Sequence, residues 1–422
     1  MGWGASKKQR DELLGQHYVN PKTQRYAAVV VDMCSEARRM GSGPRAQSAE
    51  ALCSRIAACL FKKLEEGGHY VIMFDCQSRM HSRRAALHMQ RYKPLSPQAE
   101  SRAVAAGKII VAGSAYAQGS QPYTAAEVKK ISRRRPVVWN RLWSSPHGKA
   151  RSWKLIYTAM AQAITSQASD TQNVVMWFEG KPFVWPPCRA EEFARLTEEI
   201  CNNTYGEADQ RVAEAAQVLA RQGIAPILIQ TIDTDMIIQA LCAPQWGEPG
   251  TLVHLQLKNE IIDLTHMCKR FGDTPERRIN AAFWLLTSAG VDYCKGITRF
   301  GFSSQELREM ADTKSKVIET TANHQTIALQ TQKVIQELKK IARRNIKKAM
   351  AQDFQQEMAD IMFCIALFVG ISKTHEPAGG PTQPDAPCFT NLSEHQPFTT
   401  AFLKSAAPRS QNIQHTHVVT QP

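Results

Sequence analysis

The chain has 422 residues, and 43% of them are hydrophobic, which is enough to fill a sizeable core and excludes disorder throughout. No apolar run reaches the roughly 20 residues of a membrane-spanning helix and the N-terminus is polar, so we expect a soluble, intracellular protein without stable membrane association. The 11 cysteines form no C-x-x-C pair, so neither a disulfide framework nor a structural zinc site is expected.

The net charge of +14 is concentrated in one part of the chain. Residues 76–155 contain sixteen Lys or Arg and only two acids, and the remainder is balanced. Aromatic residues are interleaved with these cations, a combination that suits a phosphate backbone with exposed bases. We therefore predict nucleic-acid binding by this basic stretch; the alternative is a solvated insertion with incidental charge. The aromatic residues are Tyr92, Tyr116, Tyr123, Trp139, Trp143 and Trp153.

Short β-branched apolar runs predict strands, and longer runs of good helix formers predict helices. The first two strands and the helix between them form a parallel β-α-β unit. One strand, over 174–178, has no predicted neighbour. The predicted strands are 26–32, 69–75, 174–178 and 224–230, and the predicted helices are 49–66, 207–222 and 280–289.

The chain from 303 to 368 is helical by composition, and its clearest part is 335–349. At helical spacing, apolar residues share one face of this part and six Lys or Arg cover the other. Two interpretations stay open: a core-packed helix with a solvated face, or a second surface that contacts duplex. Beyond Lys373 the Pro, Gly, Gln and Thr content predicts a disordered tail.

Seven acids stand at strand ends, in turns or in the first turn of a helix. The carboxyl ends of parallel strands meet at one crevice, so these side chains are expected to gather there. Crowded carboxylates need cations, and Mg²⁺ or Mn²⁺ takes oxygen ligands. Two such ions activate water and stabilise the leaving oxygen of a phosphodiester, which points to a nuclease. The alternative for each acid alone is a turn former or helix cap. The acids are Asp32, Asp75, Glu207, Asp209, Asp233, Asp235 and Asp292.

The order of the acidic motifs resembles that of the flap-endonuclease and XPG-type family of structure-specific 5′ nucleases. The motifs are VVVD ending at Asp32, VIMFD ending at Asp75, GEAD with Glu207 and Asp209, TIDTD with Asp233 and Asp235, and GVDYCKGITRFG from Gly290. The segment EEGGHYVIMFD is also similar to the flap-endonuclease-like proteins of poxviruses, which suggests a large DNA virus as source.

The resemblance implies a PIN-like α/β fold, in which a parallel sheet is flanked by helices. It implies a nuclease domain over 1–305 with a basic arch and insertion at 76–200, then a helical region over 306–372 and a tail over 373–422. Asp75, Glu207 and Asp209 would hold one Mg²⁺ or Mn²⁺, with Asp32 acting through water. Asp209, Asp233, Asp235 and Asp292 would hold a second ion.

The resemblance also implies basic contacts to DNA. Arg84 and Arg91 have the seven-residue spacing of the pair that touches the scissile phosphate, and Arg83 is the alternative to Arg84. The other predicted contacts are Arg79, Lys93, Lys129, Lys130, Arg133, Arg134, Arg135, Arg299, Lys339, Arg343 and Lys347.

The implied function is Mg²⁺-dependent cleavage of DNA at flaps, nicks or 5′ ends during replication, recombination or repair. The expected partners are DNA with single-strand/duplex junctions and replication or recombination proteins, in the nucleus or a viral replication compartment. The alternatives are an RNA-directed 5′-3′ exonuclease and a non-catalytic nucleic-acid-binding scaffold.

Four features depart from the family pattern or compete with it. The glycine-rich turn keeps only Gly296 and Gly301, with Arg299 between them, so we do not assign cation binding there. Glu179 follows a strand but is treated as a decoy for the second acid. Trp3 argues against myristoylation of Gly2. Thr399 breaks a sliding-clamp-binding box at 396–403, so clamp binding is not expected.

Overall fold

The protein is described from a computed structural model. The structure describes residues 4–19, 24–41, 49–75, 146–178, 181–189, 208–243, 246, 250–257, 260–291, 294–297, 303–311, 317–320, 327–329, 331–341 and 354–371.

A mostly parallel sheet forms the centre of the described structure. Its order is β1-β8-β7-β6-β2-β3-β4-β5. Strands β7, β6, β2, β3 and β4 run parallel, whereas β8 and β5 pair antiparallel with β7 and β4. The strands are β1 Tyr18–Val19, β2 Tyr26–Asp32, β3 Leu64–Met73, β4 Asn173–Phe178, β5 Lys181–Trp185, β6 Ile227–Thr231, β7 Val253–Leu257 and β8 Glu260–Asp263.

The strand order creates a switch point beside β2. From β2 the chain first builds β3 and β4 on one side, and it later returns to build β6 and β7 on the other side. In open α/β sheets of this kind, the crevice for ligands lies at the carboxyl ends of the strands flanking the switch point. The carboxyl ends of β2 and β6 are therefore where a site is expected.

Helices cover both faces of the sheet. Side chains in β2 alternate, so Ala28 and Val30 enter one apolar layer with α5, α6, α7, α8 and α11, while Val29 and Val31 enter the other with α2, α3 and α4. The helices are α1 Lys7–Leu14, α2 Met33–Gly41, α3 Ala49–Leu60, α4 Pro146–Gln167, α5 Ala208–Arg221, α6 Asp235–Cys242, α7 Leu264–Phe271, α8 Pro275–Ala289, α9 Ser304–Ala311, α10 Thr331–Ile341 and α11 Phe354–Ile371.

The predicted α/β class, a parallel sheet flanked by helices, is confirmed. Strand β2 has the predicted bounds, and β3 pairs parallel with it as predicted. The strand over 174–178 is β4, which lies parallel beside β3. None of the described helices is long and apolar enough to cross a membrane.

Part of the predicted insertion belongs to the core fold. Residues 146–189 supply α4, β4 and β5, and β4 extends the main sheet. Trp153, predicted to be an aromatic of the nucleic-acid surface, is instead fully buried against Phe74. The sequence pattern was misleading here because three basic residues surround one core tryptophan in the first turns of α4. Residues 76–145, 179–180 and 190–200 lie outside the described residues.

Composition predicts that the region from 303 to 368 is helical, but this prediction is wrong for part of it. Strands β11 Ile318–Thr320 and β12 Ile327–Leu329 pair antiparallel between α9 and α10. Asn280 of α8 fixes the entry to β11, because its Oδ1 accepts from the backbone N of Val317 and Ile318 at 2.9 and 3.0 Å. Each strand has only three residues, too few to leave an alternation signal.

The first part of the basic helix predicted over 335–349 lies in α10, Thr331–Ile341, and residues 342–349 are outside the described residues. Val334 and Leu338 are buried in the core, as the core-packed interpretation requires for this part. Lys339 lies in α10, but its side chain, Arg343, Lys347 and the tail over 373–422 are outside what the structure describes.

Two short strands after α8 form a tight corner. Strands β9 Gly290–Val291 and β10 Cys294–Lys295 pair antiparallel, and Gly290 has a φ of 66°, which disfavours any residue with a Cβ. A Cβ on Gly296 would lie 2.5 Å from the backbone N of Gly290, so the two backbones meet directly. Gly296, predicted to be part of a glycine-rich turn, therefore has a packing role.

Candidate metal centre

Three aspartates converge beside the carboxyl end of β6. Asp209 lies in the first turn of α5, Asp233 in the turn after β6, and Asp235 at the start of α6. One carboxylate oxygen from each lies within 4.8 Å of the others. Asp209 and Asp235 are buried, and Asp233 is partly buried. Buried carboxylates this close repel one another unless cations or protons neutralise them, so the residues fit a hard divalent cation.

The D-x-D spacing follows from the turn between β6 and α6. The backbone N of Asp233 donates to Thr231 Oγ1 at 3.0 Å, and the backbone N of Asp235 donates to Asp233 Oδ1 at 3.2 Å. Asp233 thereby satisfies a backbone donor at the start of α6 while it faces the other two acids. One turn along α6, Gln239 Nε2 donates to Asp209 Oδ2 at 3.4 Å and holds α5 beside α6.

Asp32 lies at the end of β2, across the switch point from β6. Its Oδ1 accepts from the backbone N of Ser35 at 3.0 Å, so it caps the first turn of α2. Its Oδ2 accepts from the hydroxyls of Ser35 and Thr231, the latter at 3.1 Å. The Thr231 hydroxyl thus joins Asp32 to the backbone of Asp233, and the carboxylate is oriented toward these donors.

Asp75 lies two residues beyond β3 and is anchored to α5. The backbone N of Ala208, the residue before Asp209, donates to Asp75 Oδ1 at 3.0 Å. The backbone N of Asp75 donates to Cys34 Sγ at 3.4 Å, which links it to α2. The dipole of α5 stabilises the Asp75 carboxylate at its N-terminus. The hydrogen bond from Ala208 places Asp75 beside the turn of α5 that carries Asp209.

The structure therefore brings together three of the predicted ligands and connects two more to them. Asp209, Asp233 and Asp235 share one cluster, Asp32 is joined to it through Thr231, and Asp75 through Ala208. The remaining predictions lie outside the described residues: Glu207, Asp292, the decoy Glu179, Arg83, Arg84, Arg91, Arg79, Lys93, Lys129, Lys130, Arg133, Arg134, Arg135 and Arg299.

Three uncharged residues of the site were missed from the sequence. Ser35 follows Asp32 by three positions, which is the spacing of a helix cap and its bonded amide. Gln239 follows Asp235 by four positions and so shares its helix face. Thr231 ends β6 and leaves no local signal, because its partner Asp32 is 199 residues away in the chain.

Thr231→Val should weaken the binding of a divalent ion at this cluster by about 10–100-fold, the usual cost of removing a residue that orients a metal ligand. Valine keeps the shape but removes the hydroxyl between Asp32 and the backbone of Asp233. Thr231→Ser keeps a hydroxyl and should restore most of the affinity. Calorimetric titration with Mg²⁺ measures this effect. Equal loss in both variants would mean that the methyl group matters as much as the hydroxyl, and no loss in Thr231→Val would show that the hydroxyl orients no ligand.

Comparisons with known proteins find a remote likeness among solved structures but none among protein families or curated proteins. A scan against models of protein families finds no match, and a search of curated proteins finds none either. Among solved structures, the chain is similar to the flap endonuclease of bacteriophage T5, determined as a complex with DNA and metal ions. The TM-score is 0.30 and the identity 12%, over 81% of this chain and 98% of that one. A likeness this weak carries no weight for function, which has to rest on the residues of the site.

Proposed function

We propose that the protein is a divalent-metal-dependent nuclease that cleaves DNA phosphodiesters near 5′ ends or single-strand/duplex junctions. The observation that carries this proposal is the convergence of Asp209, Asp233 and Asp235 at the switch point of the sheet. The order of the acidic motifs along the chain supports it independently. A scaffold without catalytic activity would not require buried carboxylates within 4.8 Å of one another.

The points at which the basic segment 76–145 joins the described structure also support a nuclease. Phe74, which directly precedes Asp75, contacts Trp153 and Tyr157 of α4 with ring centroids 6.0 and 5.9 Å apart. The chain therefore leaves the sheet at Asp75 and returns through α4 at the same carboxyl end. The intervening residues, 76–145, contain thirteen Lys or Arg and two acids. In this proposal the segment supplies positive charge for a phosphate backbone. The residues that flank it, Asp75 and the start of α4, lie at the end of the sheet that carries the acidic cluster.

In this proposal Asp209, Asp233 and Asp235 hold the ions together with Asp75, Glu207 and Asp292, while Asp32 acts through water. Bound divalent ions would supply water activation and neutralisation of charge at the scissile phosphate. Thr231 and Gln239 orient the carboxylates. Arg84 and Arg91, or Arg83 in place of Arg84, contribute positive charge to the phosphate, as the resemblance implies.

The proposal predicts Mg²⁺-dependent cleavage that requires a 5′ end or a junction. Flap, nicked and single-stranded DNA of one sequence, labelled at the 5′ end or at the 3′ end, separate endonucleolytic from exonucleolytic products. We expect the flap to be cut at least about 10-fold faster than the single strand, because a junction offers backbone from both duplex and single strand to the Lys and Arg of the basic segment.

A matched RNA flap tests the alternative substrate. Cleavage of RNA with no cleavage of DNA would replace the DNA-directed proposal by the RNA-directed exonuclease. No cleavage of either substrate with Mg²⁺ or Mn²⁺ would overturn the catalytic assignment. EDTA provides the control for metal dependence in each reaction.

A further inference from the structure

A pair of histidines lies at the edge of the sheet, away from the acidic cluster. His17 ends a short 3₁₀ helix, Gly15–His17, that runs into β1, and His266 lies in the first turn of α7. Strand β1 pairs with β8, the strand that leads into α7, and this pairing fixes the two segments side by side. The two ring nitrogens Nδ1 are 3.2 Å apart.

The ring geometry fits a shared ion better than a head-on hydrogen bond. The ring centroids are 4.8 Å apart with an interplanar angle of 72°. A linear N–H···N bond would hold the ring centres about 5.5 Å apart, whereas two rings converging on an ion at about 2.0–2.1 Å bring them to roughly 5 Å. The same convergence places two ligand nitrogens about 3.2 Å apart.

An acidic residue and an opening to solvent lie beside the pair. Asp263 accepts from the backbone N of His266 at 2.8 Å, which orients this residue and adds a negative charge nearby. His17 is buried and His266 is exposed, so an ion can enter from the side of His266.

We propose that His17 and His266 form a binding site for a borderline transition-metal ion, Zn²⁺, Ni²⁺ or Cu²⁺, that joins the N-terminal segment to α7. Imidazole selects these ions over Mg²⁺, which prefers the oxygen ligands of the acidic cluster. With two protein ligands, the other coordination positions are left to water, and micromolar affinity is expected. Bound metal would stabilise the fold through mass action on the native state.

Calorimetric titration of Zn²⁺ tests the site in full-length protein that carries Asp233→Asn and Asp235→Asn, which disable the acidic cluster. In this background we expect one micromolar site. Adding His266→Gln should raise its Kd at least about 10-fold, and adding His69→Gln should leave it unchanged. His69 lies in β3, five strands from β1 in the sheet or roughly 24 Å.

Cu²⁺ electron paramagnetic resonance gives a second readout that needs no variant of His17. One equivalent of Cu²⁺ should show coupling to two imidazole nitrogens, and His266→Gln should reduce it to one. Zn²⁺ affinity that is unaffected by His266→Gln would overturn the proposal, as would the absence of micromolar Zn²⁺ binding. In either case the pair would be a hydrogen-bonded contact only.

Discussion

Asp233→Asn and Asp235→Asn should each lower the rate of DNA cleavage by on the order of 10³-fold or more. Asparagine keeps the size of the side chain but removes one of three charges that lie within 4.8 Å of one another. A divalent ion bound by the cluster would lose one carboxylate ligand. Single-turnover cleavage of a 5′-labelled flap at saturating Mg²⁺ measures the effect.

DNA binding by the same variants should be unchanged or tighter, because the substitution removes negative charge near a polyanion. Fluorescence anisotropy with a labelled flap in Ca²⁺ or EDTA measures this binding. Asp170→Asn is the matched control, since Asp170 is an exposed acid that precedes β4 and lies at the amino ends of the parallel strands, opposite to the cluster. It should retain the full rate. Full turnover by both cluster variants would refute the metal centre.

Gly296→Ala should lower the free energy of unfolding by about 3 kcal/mol. The added Cβ would lie 2.5 Å from the backbone N of Gly290 and 2.6 Å from the backbone C and N of Ala289. These are backbone atoms at the end of α8, so no side chain can rotate away. The backbone N of Ile297, the next residue, donates to Thr287 O at 2.6 Å, which ties the corner to α8. Urea denaturation followed by circular dichroism measures the loss.

Gly15→Ala is the control for Gly296→Ala. Nothing lies within 4 Å of a Cβ at Gly15, and its φ of −54° is ordinary for alanine. This variant should keep the stability of the native protein within about 0.5 kcal/mol. A change of the same small size in the free energy of unfolding of Gly296→Ala would contradict a packing role for Gly296.

Strand β2 and the acids at strand ends could be predicted because their signal is local. A β-branched run that ends at Asp32 predicts both a buried strand and the position of its carboxyl end. The TIDTD segment predicts the end of a strand, a turn and the start of a helix. Parallel pairing then implies that such acids meet, although they are far apart along the chain.

The missed contacts depend on pairings that sequence periodicity does not contain. The Thr231 hydroxyl matters only because β6 pairs with β2, and Ala208 matters only because α5 begins beside Asp75. Likewise, the sixteen cations of 76–155 concealed a core tryptophan in α4. The charge of residues 76–155 can be read from the sequence, whereas the burial of Trp153 depends on where α4 packs against the sheet.

The order in which the sheet is built has a consequence for synthesis of the protein. A nascent chain that has passed β4 carries Asp32 and Asp75 but lacks α5, β6 and α6. At this stage the central strand β2 can pair with β3 but not with β6, which has not been synthesised. A ribosome-bound intermediate, or a product truncated before residue 208, would therefore carry the basic segment but lack Asp209, Asp233 and Asp235.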